Sequence, residues 1–410
     1  MNSPTLRLPR LQILTAFAIL CAMLVTVGLS ASADAKQKKP AKGPAGLKFY
    51  KPPKKLAKRH GKLIWQRNAK SIVRLESARL NKIVLYTSKS PSGKRIAVSG
   101  SVHIPKGKKP KGGWPVVSYA HGTTGIADQC APTRNRPGGP AEAYISYTDP
   151  ELNAWLQAGY AVVRSDFEGL GTPGVHPYLI GKSEGRGVLD MVRAARGLKQ
   201  GLISKKFLIA GHSQGGHAAL FAAGLASKWT PDLKLRGTVA YAPASHMDAY
   251  LPLLPGLTTP SSLSALAALI VKGAQTASSE IESNQLLSDA ALGFYPQVTK
   301  ACLAELAQPD SFGSLAPSEL LRPGADQTPL ADVLGAQNPD VVSKAPILMA
   351  QGSADSTVPA FLTIRLKDEL DASGNQLTYT EYPGVDHGSI VAAAQTEAMA
   401  FMEQRLPSSR

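Results

Sequence analysis

Two serines, Ser183 and Ser213, lie at the centre of a Gly-x-Ser-x-Gly pentapeptide. A serine nucleophile needs a strand that delivers it to a sharp turn, glycines two residues away on either side, and a helix just beyond. Ser213 follows the apolar run 207–210 and precedes a helical pattern, whereas Ser183 follows a segment interrupted by Pro177. The pattern therefore predicts Ser213 as the nucleophile of an acyl-transfer reaction and Ser183 as an ordinary loop residue.

A serine hydroxyl also needs a base that takes its proton and a carboxylate that orients the base. Asp355 follows the apolar run 347–350, and His387 lies in a loop between the last predicted strand and the last predicted helix. The chain order serine, acid, histidine is the one expected when all three side chains meet at one edge of a sheet of this kind. We therefore predict a catalytic triad of Ser213, Asp355 and His387.

The oxyanion formed during acyl transfer needs two backbone N–H donors. One is expected from Gln214, the residue after the nucleophile, and the other from the loop that leaves an early strand. The glycine-bracketed turn at 121–125 follows such a strand, and we assign Thr123, with Thr124 as the alternative register. The other interpretation is a simple turn in which His121 only packs.

Neither a metal site nor a bound cofactor is expected. The histidines are scattered along the chain and lack the spacing of metal ligands. Asp166 and Glu168 form one acidic pair without partners, which is more typical of a hydrogen-bonding or turn-forming group.

The elements that must position these residues follow an alternating pattern. Two β-branched runs, 82–86 and 96–104, flank a Pro-Ser-Gly turn and predict an antiparallel hairpin. The later strands are predicted at 115–120, 161–166, 207–210, 237–242, 347–350 and 377–382. The helices are predicted near 149–158, 186–199, 214–228, 360–370 and 389–405. This alternation predicts an α/β fold with a mainly parallel sheet and helices on both faces. The interval 248–343 has helical pieces but no clear strand, and is predicted to be an insertion over the sheet.

The formal charge of +17 is concentrated near one end of the chain. Residues 36–111 contain 23 Lys or Arg and one Glu, whereas residues 112–410 contain 21 basic and 27 acidic residues. This distribution argues against a basic groove running through a nucleic-acid-binding fold, and no nucleic-acid partner is expected. Residues 36–61 are predicted to be a Lys- and Pro-rich arm, either simply solvated or attracted to an anionic cell envelope.

Residues 1–35 have the features of a signal peptide. Arg7 and Arg10 precede the apolar run 11–29, and small-x-small cleavage sites end at Ala33 and Ala35. We therefore expect secretion to the extracellular space, with association to the cell envelope as a variant. Because the apolar run just reaches spanning length, an uncleaved membrane anchor is the alternative.

The cysteines fit an exported chain. Removal of the leader removes Cys21 and leaves Cys130 and Cys302. An even pair in an oxidising compartment predicts one disulfide, and two buried free thiols are the alternative.

Taken together, these motifs resemble the α/β-hydrolase superfamily and, within it, the secretory lipases similar to the fungal lipase A type and their actinobacterial relatives. The resemblance rests on the Ser213 pentapeptide, the 121–125 turn, the segments 49–53, 130–132 and 166–171, and the Asp355 and His387 loops. It implies an α/β-hydrolase core at 62–247 and 344–410, a cap at 248–343 that forms an acyl tunnel, and an arm packed onto the core. It also implies that Cys130 pairs with Cys302 to join cap and core.

The predicted function is that of a secreted serine carboxylester hydrolase, specifically a lipase that cleaves acylglycerols or other fatty-acyl esters through an acyl-enzyme. A short-chain esterase or an acyltransferase would use the same triad. A peptidase is disfavoured because no acidic pair is placed to hold a substrate amine. A non-enzymatic cell-surface binding protein is the remaining alternative, and an intact triad argues against it.

Overall fold

The computed structural model describes Met1 and residues 40–408. The rest of the predicted signal peptide and the start of the predicted arm, at 36–39, lie outside the described residues. Within the described part of the chain, no helix combines the length and hydropathy needed to cross a bilayer.

One nine-stranded sheet organises the described residues. Its strands are β1 (Leu63–Asn68), β2 (Ala78–Lys89), β3 (Arg95–Pro105), β4 (Trp114–Ala120), β5 (Ala161–Ser165), β6 (Ile203–His212), β7 (Lys234–Tyr241), β8 (Ile347–Gly352) and β9 (Leu377–Tyr382). The spatial order is β1-β2-β3-β5-β4-β6-β7-β8-β9. Pairings from β1 to β5 along this order are antiparallel, and those from β5 to β9 are parallel.

The α-helices of the described residues are α1 (Glu142–Ser146), α2 (Asp149–Ala158), α3 (Gly181–Arg196), α4 (Gln214–Trp229), α5 (Ser262–Ala274), α6 (Ser283–Leu286), α7 (Asp289–Phe294), α8 (Leu303–Leu306), α9 (Thr328–Gly335), α10 (Ala360–Ala372), α11 (Ile390–Ala393) and α12 (Gln395–Arg405). Short 3-10 turns link several of them, and the longest spans Met247–Gly256.

The sheet is covered on both faces. Every residue of β4, β5 and β8 is buried, as expected for strands enclosed between two helical layers. Helices α3 and α4 pack on one face, and α2, α11 and α12 pack on the other. This arrangement confirms the predicted α/β fold class, with its mainly parallel sheet.

The interval 248–343 contributes helices α5 to α9 and, in the described chain, no strand of the sheet. Its apolar side chains form a cluster of their own around Leu269, Leu306 and Phe312. This cluster also includes Ile126 and Tyr178 from outside the interval, so the two parts of the molecule share buried surface.

The described part of the predicted arm packs against the sheet. Phe49 and Tyr50 are buried, and Tyr50 donates its hydroxyl hydrogen to the backbone carbonyl of Thr133 at 2.8 Å. Farther along, His60 Nδ1 lies 2.5 Å from the Asp190 carboxylate. These contacts fix the segment although its composition alone offers little apolar surface.

Candidate active site

Ser213 lies at a strained turn between β6 and α4. Its backbone has φ 59° and ψ −120°, a conformation that L-residues rarely adopt. The turn is held by the Ser213 N–H, which donates to the Tyr241 carbonyl at 2.9 Å. A Cβ atom at Gly211 would collide with the Gly215 carbonyl, and one at Gly215 would collide with the Ala120 carbonyl. The close approach of three backbone segments therefore requires both glycines.

Asp355 and His387 are joined by a hydrogen bond beyond the ends of β8 and β9. His387 Nδ1–H donates to Asp355 Oδ2 at 2.6 Å. The other oxygen, Oδ1, accepts the backbone N–H groups of Thr357 and Val358, each at 2.8 Å. Asp355 is only 5% exposed, so its carboxylate is held in one orientation and directs the imidazole.

Gln351 is a further polar residue of this region that sequence reasoning missed. Its Nε2 donates to Asp355 Oδ2 at 3.1 Å and to the Val358 carbonyl at 2.9 Å. Its Oε1 accepts a hydrogen bond from the hydroxyl of Thr363 at 2.8 Å. The side chain is fully buried and ties the Asp355 turn to α10. The sequence did contain one signal for this role. Gln351 follows an apolar run predicted as a buried strand, and a buried amide side chain needs hydrogen-bond partners.

Ser213 and His387 line the same cavity, which has a volume of about 430 Å³. Gly122 and Thr123 also line it, so two residues of the 121–125 turn face the same space. The remaining lining is mainly apolar or aromatic and includes Ala143, Tyr144, Tyr147, Leu266 and Leu303. An ester with an apolar acyl group fits a cavity of this size and character.

Of the residues assigned to the oxyanion, Gln214 directly follows Ser213 and Thr123 lines the same cavity as Ser213. Gln214 is the first residue of α4, so its backbone N–H has no acceptor within the helix. Thr123 Oγ1 is 2.7 Å from the Tyr178 hydroxyl, which fixes the side chain. Thr124, by contrast, is outside the cavity lining, and its carbonyl accepts the Leu303 N–H at 3.0 Å.

A buried polar network lies behind Gln214. The Gln214 amide donates to Glu184 Oε1 at 2.7 Å, and His217 Nδ1 lies 3.1 Å from Glu184 Oε2. Burial alone would raise the pKa of Glu184, but its hydrogen bond and charge interaction with His217, with smaller contributions from His176 and Gln214, lower it overall. Glu184 therefore remains a carboxylate that anchors the start of α4.

His212, the residue before Ser213, forms a second contact that the sequence did not indicate. The Tyr147 hydroxyl is 2.5 Å from His212 Nδ1, and the His212 ring lies 4.6 Å from the His387 ring. Burial lowers the pKa of His212, and the nearby His387 lowers it further. Burial also raises the pKa of Tyr147. The pair is therefore neutral, with the phenol donating to His212, and the His212 ring packs against the His387 imidazole.

The loop placement predicted for Ser183 is wrong. Helix α3 begins at Gly181, so Ser183 lies in its first turn. Its hydroxyl donates to Glu168 Oε2 at 2.5 Å, and no histidine of the described chain hydrogen-bonds to it. The second pentapeptide therefore lacks the base that would activate its serine.

The structure contains the predicted disulfide between Cys130 and Cys302, whose Cα atoms lie 5.5 Å apart. It joins the segment after β4 to the 248–343 interval. Among the described residues, no three His, Cys, Asp or Glu side chains are grouped to hold a metal ion.

Comparisons with known proteins identify the family of this chain. The secretory lipase family model matches residues 143–410. The chain is 24% identical to the secreted triacylglycerol lipase LIP3 of Malassezia restricta in an alignment that covers 96% of this chain and 86% of that protein. It is 29% identical to lipase A of Moesziomyces aphidis over 170 residues, 40% of this chain and 36% of that lipase.

Solved structures share the fold. Candida antarctica lipase A in its closed state superposes with a TM-score of 0.72 at 20% identity, over 88% of this chain and 86% of that one. The rice cell wall degrading esterase LipA of Xanthomonas oryzae, in a ligand-bound form, gives a TM-score of 0.69 at 20% identity, over 85% of this chain and 98% of that one. With the family match extending over well above half of its length, the chain belongs to the secretory lipase family and is a carboxylic ester hydrolase that acts on lipid or other ester substrates.

Proposed function

We propose that this chain is a secreted lipase whose nucleophile, base and orienting acid are Ser213, His387 and Asp355. The observation that carries the proposal is the meeting of a strained serine and an aspartate-bound histidine in one apolar cavity. With Nδ1 of His387 bound to Asp355, Nε2 is the nitrogen left to take the serine proton.

The reaction would follow from this geometry in two halves. His387 takes the hydroxyl proton of Ser213, the alkoxide attacks the ester carbonyl, and the N–H groups of Thr123 and Gln214 hold the oxyanion. His387 then protonates the leaving alcohol, and an acyl-enzyme remains on Ser213. Water, deprotonated by the same imidazole, releases the fatty acid. The cavity-facing position of Thr123 supports it over Thr124 as the second donor.

The proposed substrates are acylglycerols and other fatty-acyl esters. Support comes from the apolar lining contributed by Leu266 of α5 and Leu303 of α8, both within the proposed cap at 248–343. The full-length match to a protein named as a triacylglycerol lipase agrees with this class. Export is proposed from the leader-like features of residues 1–35 together with the secreted relative.

The decisive experiment compares the two pentapeptide serines in the purified protein. Ser213→Ala should lower kcat by at least about a thousandfold, because it removes the nucleophile. Ser183→Ala is the matched control and should remain within a few-fold of the native enzyme. A serine-reactive phosphonate should label the native enzyme and the control but not Ser213→Ala. Comparable losses in the two variants would contradict the assignment.

The same enzyme should be assayed on nitrophenyl esters of increasing acyl length and on emulsified triglyceride. Because each buried methylene contributes up to about 0.8 kcal/mol, kcat/KM should rise a few-fold per carbon until the cavity is filled. A profile that peaks at acetyl or butyryl, without activity on the emulsion, would identify a short-chain esterase instead.

A further inference from the structure

A second and larger concavity, which we call the basic groove, lies apart from the catalytic cavity. Its volume is about 860 Å³, twice the roughly 430 Å³ of the cavity that contains Ser213. Three parts of the chain form it: the segment from Lys42 to Tyr50, the β1–β2 region, and the loop from Gln129 to Pro140. None of its lining residues belongs to the proposed triad or oxyanion site.

The charge of this groove has one sign. Its ionised lining side chains are Lys42, Arg67, Lys70, Arg134 and Arg136, and no lining residue is acidic. The surrounding sequence is also strongly basic, because residues 36–111 carry 23 basic residues and one Glu. Within a concave surface, charges of one sign add and attract a counter-ion strongly.

Two of the five cations are held in place by aromatic rings. The Arg67 guanidinium lies 4.5 Å from the Phe49 ring centroid, and its Nη1 donates to the Gly46 carbonyl at 2.9 Å. The Arg134 guanidinium lies 5.4 Å from the Tyr50 centroid. Groups immobilised in this way lose less conformational entropy when they bind a ligand.

The acidic groups close to the groove leave most of this charge uncompensated. Asp128 pairs with Arg134 at 3.1 Å, while the other four cations form no ion pair with a carboxylate in the described chain. Asp166 lies beneath Thr133 and accepts hydrogen bonds from Thr133 and Ser99. In addition, the buried amide nitrogen of Asn135, which is part of the lining, has no acceptor in the described chain.

The form of the groove and the local sequence restrict its occupant. The lining segments 42–50 and 129–140 contain no acidic residue, so neither supplies a carboxylate that would neutralise the groove. A flat bilayer does not enter a concavity, whereas a flexible chain with regularly spaced anions does. We propose that the basic groove binds a polyanionic chain, a polysaccharide or polyester bearing carboxylate or phosphate groups, and so holds the secreted enzyme on an anionic envelope or matrix.

The test measures binding of two labelled polymers, inorganic polyphosphate and alginate, to the purified secreted protein at low and at physiological ionic strength. The test variant combines Lys42→Gln, Lys70→Gln and Arg136→Gln, which change exposed or groove-lining cations without cutting into the core. Its Kd for the bound polymer should rise about tenfold, because each exposed ion pair is worth roughly two- to threefold. Its kcat/KM on a soluble nitrophenyl ester should equal that of the native enzyme, which keeps this result separate from the catalytic proposal.

The matched control removes the same charge elsewhere, through Lys205→Gln, Lys206→Gln and Lys228→Gln, all at exposed positions. Its Kd should stay within about threefold of the native value, since long-range attraction is screened by salt. Binding of polyphosphate alone or of alginate alone supports the proposal and identifies the anion. Equal losses in both triple variants, binding of neither polymer, or groove-dependent binding only to vesicles containing phosphatidylglycerol would overturn it.

Discussion

At the level of single residues, the Asp355 carboxylate decides which nitrogen of His387 carries a proton. One of its oxygens is committed to the backbone N–H groups of Thr357 and Val358, and the other faces His387 Nδ1. An asparagine here would keep its oxygen toward the two N–H groups and turn its NH₂ toward the imidazole. That amide would donate to Nδ1, so the imidazole proton would move to Nε2. With Nε2 protonated, His387 could not accept the hydroxyl proton of Ser213.

We therefore expect Asp355→Asn to lower kcat by about a thousandfold to ten-thousandfold while the protein stays folded. The matched control is Asp386→Asn, the exposed neighbour of His387 whose carboxylate accepts the Ser389 N–H at 2.8 Å. The control should stay within a few-fold of the native enzyme. Steady-state kinetics and thermal melts on both variants test this, and an active Asp355→Asn enzyme would direct attention to another carboxylate.

Glu151 predicts how stability depends on pH. It is 3% exposed, neither carboxylate oxygen has a hydrogen-bond partner in the described chain, and burial raises its pKa to about 7. An acid whose pKa is higher in the folded state favours folding while it is protonated. This contribution is complete below the unfolded value near 4.5 and is lost as the pH rises toward about 7, by up to roughly 3 kcal/mol.

Glu151→Gln should remove this dependence, because an amide does not ionise. Compared with the native protein, the variant should gain free energy of unfolding between about pH 4.5 and pH 8, with the gain complete above pH 7. Urea denaturation at a series of pH values measures it. The exposed Glu280→Gln serves as the control and should show no such gain. Parallel stability curves for native protein and Glu151→Gln would show that Glu151 is charged throughout.

At the level of elements, sequence patterns located the strands that end at the site, because β4, β5 and β8 are buried throughout and each begins with a run of apolar residues. The pattern missed β1, whose second half is Gln66, Arg67 and Asn68 and has no strand signature. It also started α3 too late. Three glycines in the first two turns of α3 have low helix propensity, and tertiary packing overrides that local preference.

Within the site, the proposed triad of Ser213, Asp355 and His387 could be named from the sequence because its chain order and strand-end positions are visible there. The contacts of Gln351, Tyr147 and His212 could not, since each depends on side chains that converge only after the strands are aligned. The sequence also could not show which threonine of the 121–125 turn faces the cavity. In the structure Thr123 lines the cavity and Thr124 does not, which favours Thr123.

The glycines of α3 allow close contact with α4, which begins at the nucleophile turn. A Cβ atom at Gly185 would lie 2.9 Å from the Ala222 nitrogen and 3.0 Å from the Phe221 carbonyl carbon, both backbone atoms that cannot move independently. We expect Gly185→Ala to destabilise the protein by about 1–2 kcal/mol, because overpacking outweighs the gain in helix propensity.

Gly293→Ala is the control within another helix, α7, since its Cβ atom would meet nothing within 4 Å. That variant should be unchanged or more stable by up to about 1 kcal/mol. Thermal and urea denaturation of both variants measure the change in free energy of unfolding relative to the native protein. Equal stability in the two would mean that α3 and α4 can separate without cost.

At the level of the whole molecule, the disulfide lies within a larger connection between the 121–125 turn and the 248–343 interval. The Leu303 N–H donates to the Thr124 carbonyl at 3.0 Å, and the Gln129 amide donates to the Lys300 carbonyl at 2.9 Å. Thr123, the proposed oxyanion donor, directly precedes this connection. The bond between Cys130 and Cys302 therefore supports both the proposed cap and the turn beneath it.

We expect the double variant Cys130→Ala, Cys302→Ala to lose up to about 5 kcal/mol of unfolding free energy, since the bond closes a loop between residues 172 positions apart. The single variant Cys302→Ala should lose a similar amount, because it too lacks the bond while it keeps the Cys130 side chain. Urea midpoints and the thiol content of the purified protein provide the measurements. Native protein with two titratable thiols, or a double variant as stable as the native chain, would contradict a structural role for the bond. If activity at moderate temperature falls further than the loss of folded protein explains, the connection also holds the 121–125 turn in its catalytic geometry.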